Sequence, residues 1–576
     1  EAPTGSGKTE AALYLADAVS QRDEKAGIYI AMPTQATSNQ MYNRTANFLA
    51  HRYSKDQINL HLVHGAALLN EQEGKFEPTS VWGEDPPEYS NIHSHGWFLP
   101  RKKTLLAPFG VGTVDQTFLS VLKSRHFFLR LFGLSHKVLI FDEVHAYDVY
   151  MTRIFKTLLH WLHAVGTSVI ILSATLPLST KRELMHAFGG KPIDIEVVDF
   201  PRVSIVSEDR IKLIQAGSIP SREIQLVWID KKPASIAALL GELLSNGGCA
   251  AVICNRINRA QEVFDVLRDT FDIESIEIIL FHSRFPYTWR KQIEESVLSM
   301  FGKQTPNRPK RAIIVATQVI EQSLDLDFDL MVTDLAPVDL LIQRIGQLHR
   351  HADSKQPPTR PKGLENPICI ISAPELSTND AGLHFGSDAF IYEPYLLLRT
   401  LLVLGKYQTI ELPKQTDSLI EAVYSFEKHP SFSGSAWIQL QKFRKDLEKH
   451  QAESENNAEN YLIPLSDLSF LGSLKSSLSD DIQGLSKRVI QAPTREISPS
   501  VQIVCLTEED DGLHPLDDPQ NLDLERPLSR RQIRSCLRAS VTLNHYRVLN
   551  YFLNTVDEVP ECFRKSAALR WHFPVV

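Results

Sequence analysis

Short apolar runs rich in β-branched residues alternate with helical stretches over the first two-thirds of this 576-residue chain. The runs predict strands over Gly27–Ala31, Lys137–Phe141, Thr167–Leu172, Ala250–Cys254, Ile276–Phe281, Arg311–Ala316, Leu330–Thr333 and Pro367–Ile371. They are continuous rather than alternating, the pattern of strands covered on both faces of a parallel sheet. The pattern breaks around residues 200–222, where no long helix or strand stands out, and a second α/β stretch then runs to about residue 375. Beyond it, Phe390–Leu404, Trp437–Lys449 and parts of Ser529–Asn554 read as helices, and polar Gln451–Asn460 reads as a loop. The breaks divide the chain into 1–205, 206–375 and a mainly helical 376–576.

The length calls for several cores, and 43% hydrophobic with 23% charged residues is ordinary globular composition. A net charge of −8 means that any nucleic-acid contact comes from local groups and not from the overall field. The six cysteines (Cys249, Cys254, Cys369, Cys505, Cys536 and Cys562) show neither metal-type nor disulfide-type spacing and suit a reducing cytoplasm. No apolar run is long enough to span a membrane, so no membrane partner is expected.

The first chemistry lies at the start. Glu1-Ala-Pro-Thr-Gly-Ser-Gly-Lys-Thr-Glu10 reads as a phosphate-binding loop. In Thr4, Gly5, Ser6 and Gly7, small side chains let backbone N–H groups curl round a triphosphate. Lys8 reaches the β- and γ-phosphates, and the Thr9 hydroxyl ligates Mg²⁺. A helix from Glu10 to about Val19 turns its positive end toward the phosphates. Such a loop is ordinarily fed by a buried strand, so the chain is expected to be a fragment with its first strand missing.

The second signal is Lys137-Val-Leu-Ile-Phe-Asp-Glu-Val-His-Ala-Tyr-Asp148. An apolar strand there delivers two adjacent carboxylates at the end where α/β folds bind ligands. Asp142 can hold Mg²⁺ and Glu143 can orient and deprotonate a water. Ser173-Ala-Thr175 follows another strand and can link the nucleotide to a neighbouring groove; alone it equally suits a helix cap. In the second α/β stretch, Ile314-Val-Ala-Thr-Gln-Val-Ile-Glu-Gln-Ser-Leu-Asp325 and Gln343-Arg-Ile-Gly-Gln-Leu-His-Arg350 supply a further acid and two arginines, Arg344 and Arg350, suited to a γ-phosphate. A solvated helix face is the competing reading for the latter.

In this order, with Pro33-Thr-Gln35, Gly112-Thr113 and Ala316-Thr317, the motifs resemble a superfamily 2 helicase of DExH type over roughly the first 355 residues. The resemblance implies two tandem RecA-like domains, 1–205 and 206–375, that close on ATP and grip a single strand, followed by an accessory domain. A narrower resemblance rests on Met32–Met41, Leu62-Val-His-Gly65, Leu105–Gln116, Asp142–Asp148, Phe281-His-Ser-Arg-Phe285 and Leu348-His-Arg-His351. These look like the CRISPR-associated helicase–nuclease of type I interference systems. That family pairs its helicase with an HD-type metal nuclease domain. An RNA-guided surveillance complex recruits it, and it reels in single-stranded DNA in the 3′-to-5′ direction.

Carried over, the resemblance implies ATP and Mg²⁺ as cofactors. Glu143, Gln343, Arg344 and Arg350 become catalytic, and Asp325 becomes a nucleotide contact from the second domain. His145, Ser173 and Thr175 become coupling residues, His145 acting through Gln343. Strand contacts fall on Thr34, Gln35, His64, Thr113, Ser283, Arg284 and Thr317. Arg101-Lys-Lys103 with Trp97 and Phe98 could extend that surface or form an ordinary turn and local core.

Two departures stand out. No HD-type cluster is visible, and His93-Ser-His95 reads as a surface loop, so this chain is not expected to cut DNA and the nuclease domain is expected to be missing or separate. Gln347 stands where the motif elsewhere carries arginine, which predicts partial loss of charge stabilisation. The alternatives are an RNA-directed helicase and a non-hydrolysing nucleic-acid clamp.

Overall fold

A computed structural model describes residues 1–576 except 4, 55–57, 64–91, 94–103, 125, 190–197, 208–209, 273–274, 304–307, 322–323, 353–357, 375–382, 428–431, 433, 466–492, 497–499, 511, 556–558 and 567. Two compact units emerge. One contains Glu1–Arg222, Glu393–Val403 and Glu411–Glu496, and the other Glu223–Tyr392, Leu404–Ile410 and Ile497–Val576. The residues expected to form one accessory domain are thus distributed between both.

The first unit is built on strands β1 (Ile28–Met32), β2 (Ile58–Val63), β3 (Ile92–His93), β4 (Phe109–Thr113), β5 (Val138–Phe141) and β6 (Ser168–Ile171). They form a parallel sheet in the order β3-β2-β4-β1-β5-β6. Alternate residues of each strand enter cores on opposite faces. Ile28, Ile30, Val138 and Ile140 pack with Leu13 and Ala16 of helix α1 (Lys8–Arg22) and with Met41, Tyr42 and Leu49 of helix α2 (Gln35–Arg52). Tyr29, Ala31, Leu139 and Phe141 pack with Ile154, Phe155 and Leu158 of the helix Val149–Ala164. Burial on both faces explains the continuous apolar runs.

Strands β2 and β4 were not legible as runs. In β4 the reason is glycine: a Cβ on Gly112 would lie 2.2 Å from the Val63 carbonyl oxygen and 2.5 Å from the Tyr29 hydroxyl. Only glycine lets Tyr29 lie across that strand. A hairpin, β7 (Arg202–Ser207) with β8 (Arg210–Gln215), fills the supposed break at 200–222. Most of its side chains are exposed or half-buried, so it carries no apolar run.

The helix Gly434–Glu459 extends through the stretch expected to be a loop. Its buried positions, Leu440, Leu447, Ser454 and Ala458, form one narrow stripe. Only Ser454 and Ala458 of the polar segment face inward, which hides a helix behind a loop-like composition. Ion pairs Arg153–Glu459 at 3.1 Å and Lys156–Glu455 at 3.7 Å join it to the helix Val149–Ala164.

The second unit has β9 (Arg222–Ile229), β10 (Gly248–Ile253), β11 (Glu277–Phe281), β12 (Arg311–Ala316), β13 (Leu330–Asp334), β14 (Ile368–Ser372) and β15 (Thr409–Leu412), ordered β11-β12-β10-β13-β14-β9-β15. The pairings from β11 through β9 are parallel. Its core joins Ala250, Val252, Ile313, Val315, Leu330 and Val332 with Ile236, Leu240, Val263 and Leu267 of flanking helices. A small sheet that the helical reading of the last third did not include surrounds β16 (Val501–Glu509). It pairs antiparallel with β17 (Gly512–Pro515) and β18 (Ser540–Leu543) and parallel with β19 (His572–Val575).

Candidate nucleotide and nucleic-acid sites

In the first unit the predicted residues meet along the C-terminal edge of the sheet. Met32 pairs with Thr113, Ala31 with Phe141, and Phe141 with Ile171, so the segments that follow leave one row side by side. Gly5 and Gly7 sit at φ 83° and 81°, the left-handed region that favours glycine. Gly7 is the N-cap of α1 and, having no side chain, makes no side-chain cap hydrogen bond. Ser6 Oγ donates to the Pro3 carbonyl at 2.7 Å, and Lys8 Nζ donates to the carbonyls of Ala2 (2.7 Å) and Pro3 (3.3 Å). Thr9 is the second residue of α1 and half-buried. The Ala2 N–H donates to the Ser173 carbonyl at 3.4 Å, which brings the loop to the end of β6. Thr4 lies outside the described residues.

Asp142 is buried after β5, and its Oδ1 accepts the Glu143 N–H at 2.9 Å. Burial and the neighbouring Glu143 push its carboxyl up to about 6, with Lys8 pulling the other way. Glu143 itself holds φ 53°, a strained conformation for a non-glycine residue and one common at functional sites. His145 is gripped twice: its Nε2 lies 3.0 Å from Glu143 Oε2 and its Nδ1 3.1 Å from Ser173 Oγ. Ser173 Oγ also donates to the Thr175 carbonyl at 3.0 Å. The Thr175 hydroxyl oxygen is buried with no hydrogen-bond partner among the described residues. A buried carboxyl next to a second carboxylate, within electrostatic reach of Lys8, is chemistry that a divalent cation fits.

On the same edge, Thr34 caps α2: its Oγ1 accepts the Thr37 N–H at 3.3 Å in a reciprocal capping box. Gln35 opens α2 and Thr113 is buried at the end of β4. His64, Trp97, Phe98, Arg101–Lys103 and His95 fall outside the described residues.

In the second unit, Thr317 follows β12, and its N–H donates to the Phe281 carbonyl at 3.2 Å, which holds the loops after β11 and β12 together. Ser283 is exposed there. Arg284 Nη2 donates to Asn544 Oδ1 at 2.8 Å. Asp325 and Arg350 are paired with each other at 2.8 Å, and His351 Nε2 adds a 3.0 Å contact to the same carboxylate oxygen. The His351 hydrogen bond, with Arg350 beside it, holds Asp325 below the usual carboxylate range.

Two arginine-motif residues do not present themselves to a ligand as expected. Arg344 is fully buried, ion-paired to Glu321 at 2.7 Å and bonded to Thr333 Oγ1 (2.6 Å), the Asp334 carbonyl (3.1 Å) and Tyr392 Oη (3.2 Å). Burial opposes its charge, but Glu321 keeps the guanidinium above its ordinary pKa. Of the residues that saturate it, Glu321 lies within the Ile314–Asp325 motif without having been singled out, and Thr333, Asp334 and Tyr392 lie outside the motifs. Gln347, read as a neutral stand-in for a phosphate-facing arginine, is also buried: its Nε2 donates to the Ile320 carbonyl at 2.7 Å. The correction has a packing reason, since the turn after the helix Val338–Ile345 carries this side chain into the fold. Gln343 is half-buried, with its Nε2 lacking a partner among the described residues.

Among the described residues no group of three or more His, Cys, Asp or Glu could hold a metal ion, and no helix is long and apolar enough to cross a membrane.

Two parallel-sheet units, one with a phosphate loop and an Asp-Glu-Val-His edge and the other with the arginine motif, define a superfamily 2 helicase architecture. Comparison narrows this. The model of the DEAD/DEAH box helicase family matches residues 1–82, and that of the CRISPR-associated nuclease/helicase Cas3, C-terminal, matches residues 246–353. The CRISPR-associated endonuclease/helicase Cas3 of Thermus thermophilus is 34% identical over 99% of this chain and 65% of its own length. The Cas3 nuclease/helicase of Streptococcus thermophilus is 32% identical over 97% of this chain and 61% of its own. The crystal structure of T. fusca Cas3 matches with a TM-score of 0.86 and 28% identity, covering 100% of this chain and 65% of that one. Over nearly its whole length the chain is similar to part of these Cas3 proteins. It spans less than two thirds of the length of these relatives.

Proposed function

We propose that this chain is an ATP-driven motor that moves along single-stranded DNA, in the 3′-to-5′ direction, as the helicase portion of a CRISPR interference enzyme. The observation that carries the reading is the shared sheet edge, with Lys8, Asp142 and Glu143 beside the loops of Thr34 and Thr113. A structure of T. fusca Cas3 with ATP, similar to this chain at a TM-score of 0.85, supports the choice of nucleotide. A similar chain also occurs in a CRISPR RNA-guided surveillance complex, at a TM-score of 0.73, and supports such a complex of type I as the partner.

In this reading Gly5, Ser6, Gly7 and Lys8 hold the triphosphate, with Thr4 completing the loop. Thr9 and Asp142 would hold Mg²⁺, which when bound neutralises phosphate charge. Glu143 takes the proton of the attacking water, held in orientation by His145. Ser173 and Thr175 carry the state of that pair toward the strand loops. Thr34, Gln35, His64, Thr113, Ser283, Arg284 and Thr317 bond the sugar–phosphate backbone without reading bases. Arg350 is assigned to γ-phosphate charge and Asp325 to the nucleotide, while Arg344 supports them from within its unit.

Gln347 is one of the grounds for the clamp alternative, and the burial of its side chain weakens that ground. Steady-state ATP hydrolysis with and without single-stranded DNA tests the motor, with Lys8→Ala as control. DNA-stimulated turnover abolished by Lys8→Ala is expected; tight DNA binding with no turnover would leave the clamp.

A further inference from the structure

Far along the chain, four consecutive residues are tied down on the first unit. The Pro493 carbonyl accepts the Tyr150 hydroxyl at 2.8 Å. Thr494 Oγ1 donates to Asp115 Oδ1 at 2.7 Å. Arg495 Nε and Nη2 donate to the two oxygens of Asp115, each at 2.9 Å, and Nη2 also donates to the Pro33 carbonyl. Glu496 accepts from Ser454 Oγ at 2.6 Å and Asn457 Nδ2 at 2.9 Å.

The targets matter more than their number. Pro33 immediately precedes Thr34, and Asp115 lies two residues after Thr113. Those two strand-to-helix connections leave adjacent strands in register, Met32 opposite Thr113, with Asp115 in the first turn of the helix Val114–Phe118. One guanidinium therefore spans both loops. It also sits on a carboxylate that would otherwise stand as an anion beside a loop assigned to phosphate contact. The pair is half-buried, with side-chain exposures of 28% for Arg495 and 22% for Asp115, so it is shielded from the screening that weakens surface pairs. A planar fork is required to bond both carboxylate oxygens and a carbonyl at once, which lysine cannot do.

We infer that Arg495 is a positioning residue for strand binding: it fixes the spacing of the Thr34 and Thr113 loops and neutralises Asp115 between them. The inference rests on the proposed assignment of those loops to single-stranded DNA. Nothing in the motif order marks this arginine, because its partners lie more than 370 residues away.

The test uses the 576-residue chain, oligo-dT as probe and two readouts: the DNA concentration for half-maximal ATP turnover, and anisotropy binding without nucleotide. Arg495→Ala is expected to raise both constants about ten-fold, and Arg495→Lys about three-fold, since lysine keeps the charge but not the fork. Adding Asp115→Asn to Arg495→Ala is expected to restore most of the affinity by removing the uncovered anion, with the urea midpoint of the two variants the same, since a merely structural role would move affinity and midpoint together. Constants within two-fold of native for a folded Arg495→Ala overturn the inference. So does a double variant no better than Arg495→Ala, or an equal rise in the KM for ATP and in the DNA constant. If the native chain itself neither binds oligo-dT nor responds to it, the proposed function fails and takes this inference with it. Native binding with indifferent variants sinks the inference alone.

Discussion

Glu143 and His145 face each other at 3.0 Å, and the far side of the same imidazole rests 3.1 Å from the Ser173 hydroxyl. The carboxylate proposed to take a proton from water is thus oriented by a ring that is in turn oriented from the end of the next strand. Removing the base while keeping shape should separate chemistry from binding. Glu143→Gln is expected to lower turnover by about 10²- to 10⁴-fold with ATP affinity kept within a few-fold, checked by single-turnover kinetics beside nucleotide titration. A variant that turned over at a tenth of the native rate or better would remove Glu143 from this role.

Arg344 is expected to be a stability residue first. Its charge has Glu321 as buried counterpart, and Arg344→Ala would leave that carboxylate unpaired inside the unit. The expected cost is about 3–5 kcal/mol, read as a fall in the urea midpoint. Arg344→Ala together with Glu321→Ala should cost less than Arg344→Ala alone. Equal losses would show that the pair is not the reason for burying the arginine.

The sequence made the nucleotide chemistry legible because each part of it is local. Five residues from Gly5 to Thr9 make the loop, and an apolar strand announces Asp142. Most of the parallel strands were readable for the same reason, since burial on both faces writes an unbroken run. What stayed hidden depends on distant partners. Gly110 and Gly112 dilute β4 because Tyr29 needs the room. Gln451–Asn460 reads as loop because only Ser454 and Ala458 of that stretch turn inward along the helix Gly434–Glu459. Arg344 and Gln347 fit a ligand-facing motif by spacing alone, and only packing reveals that both side chains point into their own unit. Arg495 has no local signal at all.

Gln347 gives the sharpest contrast between the two readings. As a lost finger, restoring arginine should accelerate turnover. As a buried amide held by the Ile320 carbonyl, it leaves no room for a charge. Gln347→Arg is therefore expected to destabilise the protein by about 2–4 kcal/mol and not to raise turnover per folded molecule. Urea unfolding alongside rates normalised to bound nucleotide checks both. Faster turnover at an unchanged midpoint would return Gln347 to the active site.

His349 supplies a pH test of the same region. It is buried beside Asp329, whose carbonyl lies 3.3 Å from its Nε2, and Arg360 adds repulsion to any charge on the ring. Burial first and Arg360 second bring its pKa down to about 4. Above about pH 6.5, the ordinary histidine value, the ring is neutral in both folded and unfolded chains. As pH falls through 6.5, the unfolded chain takes up a proton that the folded chain refuses until about 4. The unfolded state then holds more protons, so stability is lost on acidification across that window, by up to about 3 kcal/mol from this residue. Acidic groups titrate at the low end, so the measurement is a difference: urea midpoints of native protein and His349→Gln from pH 7 to 4.5. The variant is expected to be less stable than native at pH 7 and to converge on it toward pH 4.5. Parallel curves would mean that the folded chain takes up a proton on His349 as readily as the unfolded chain does, and that burial does not hold the ring neutral.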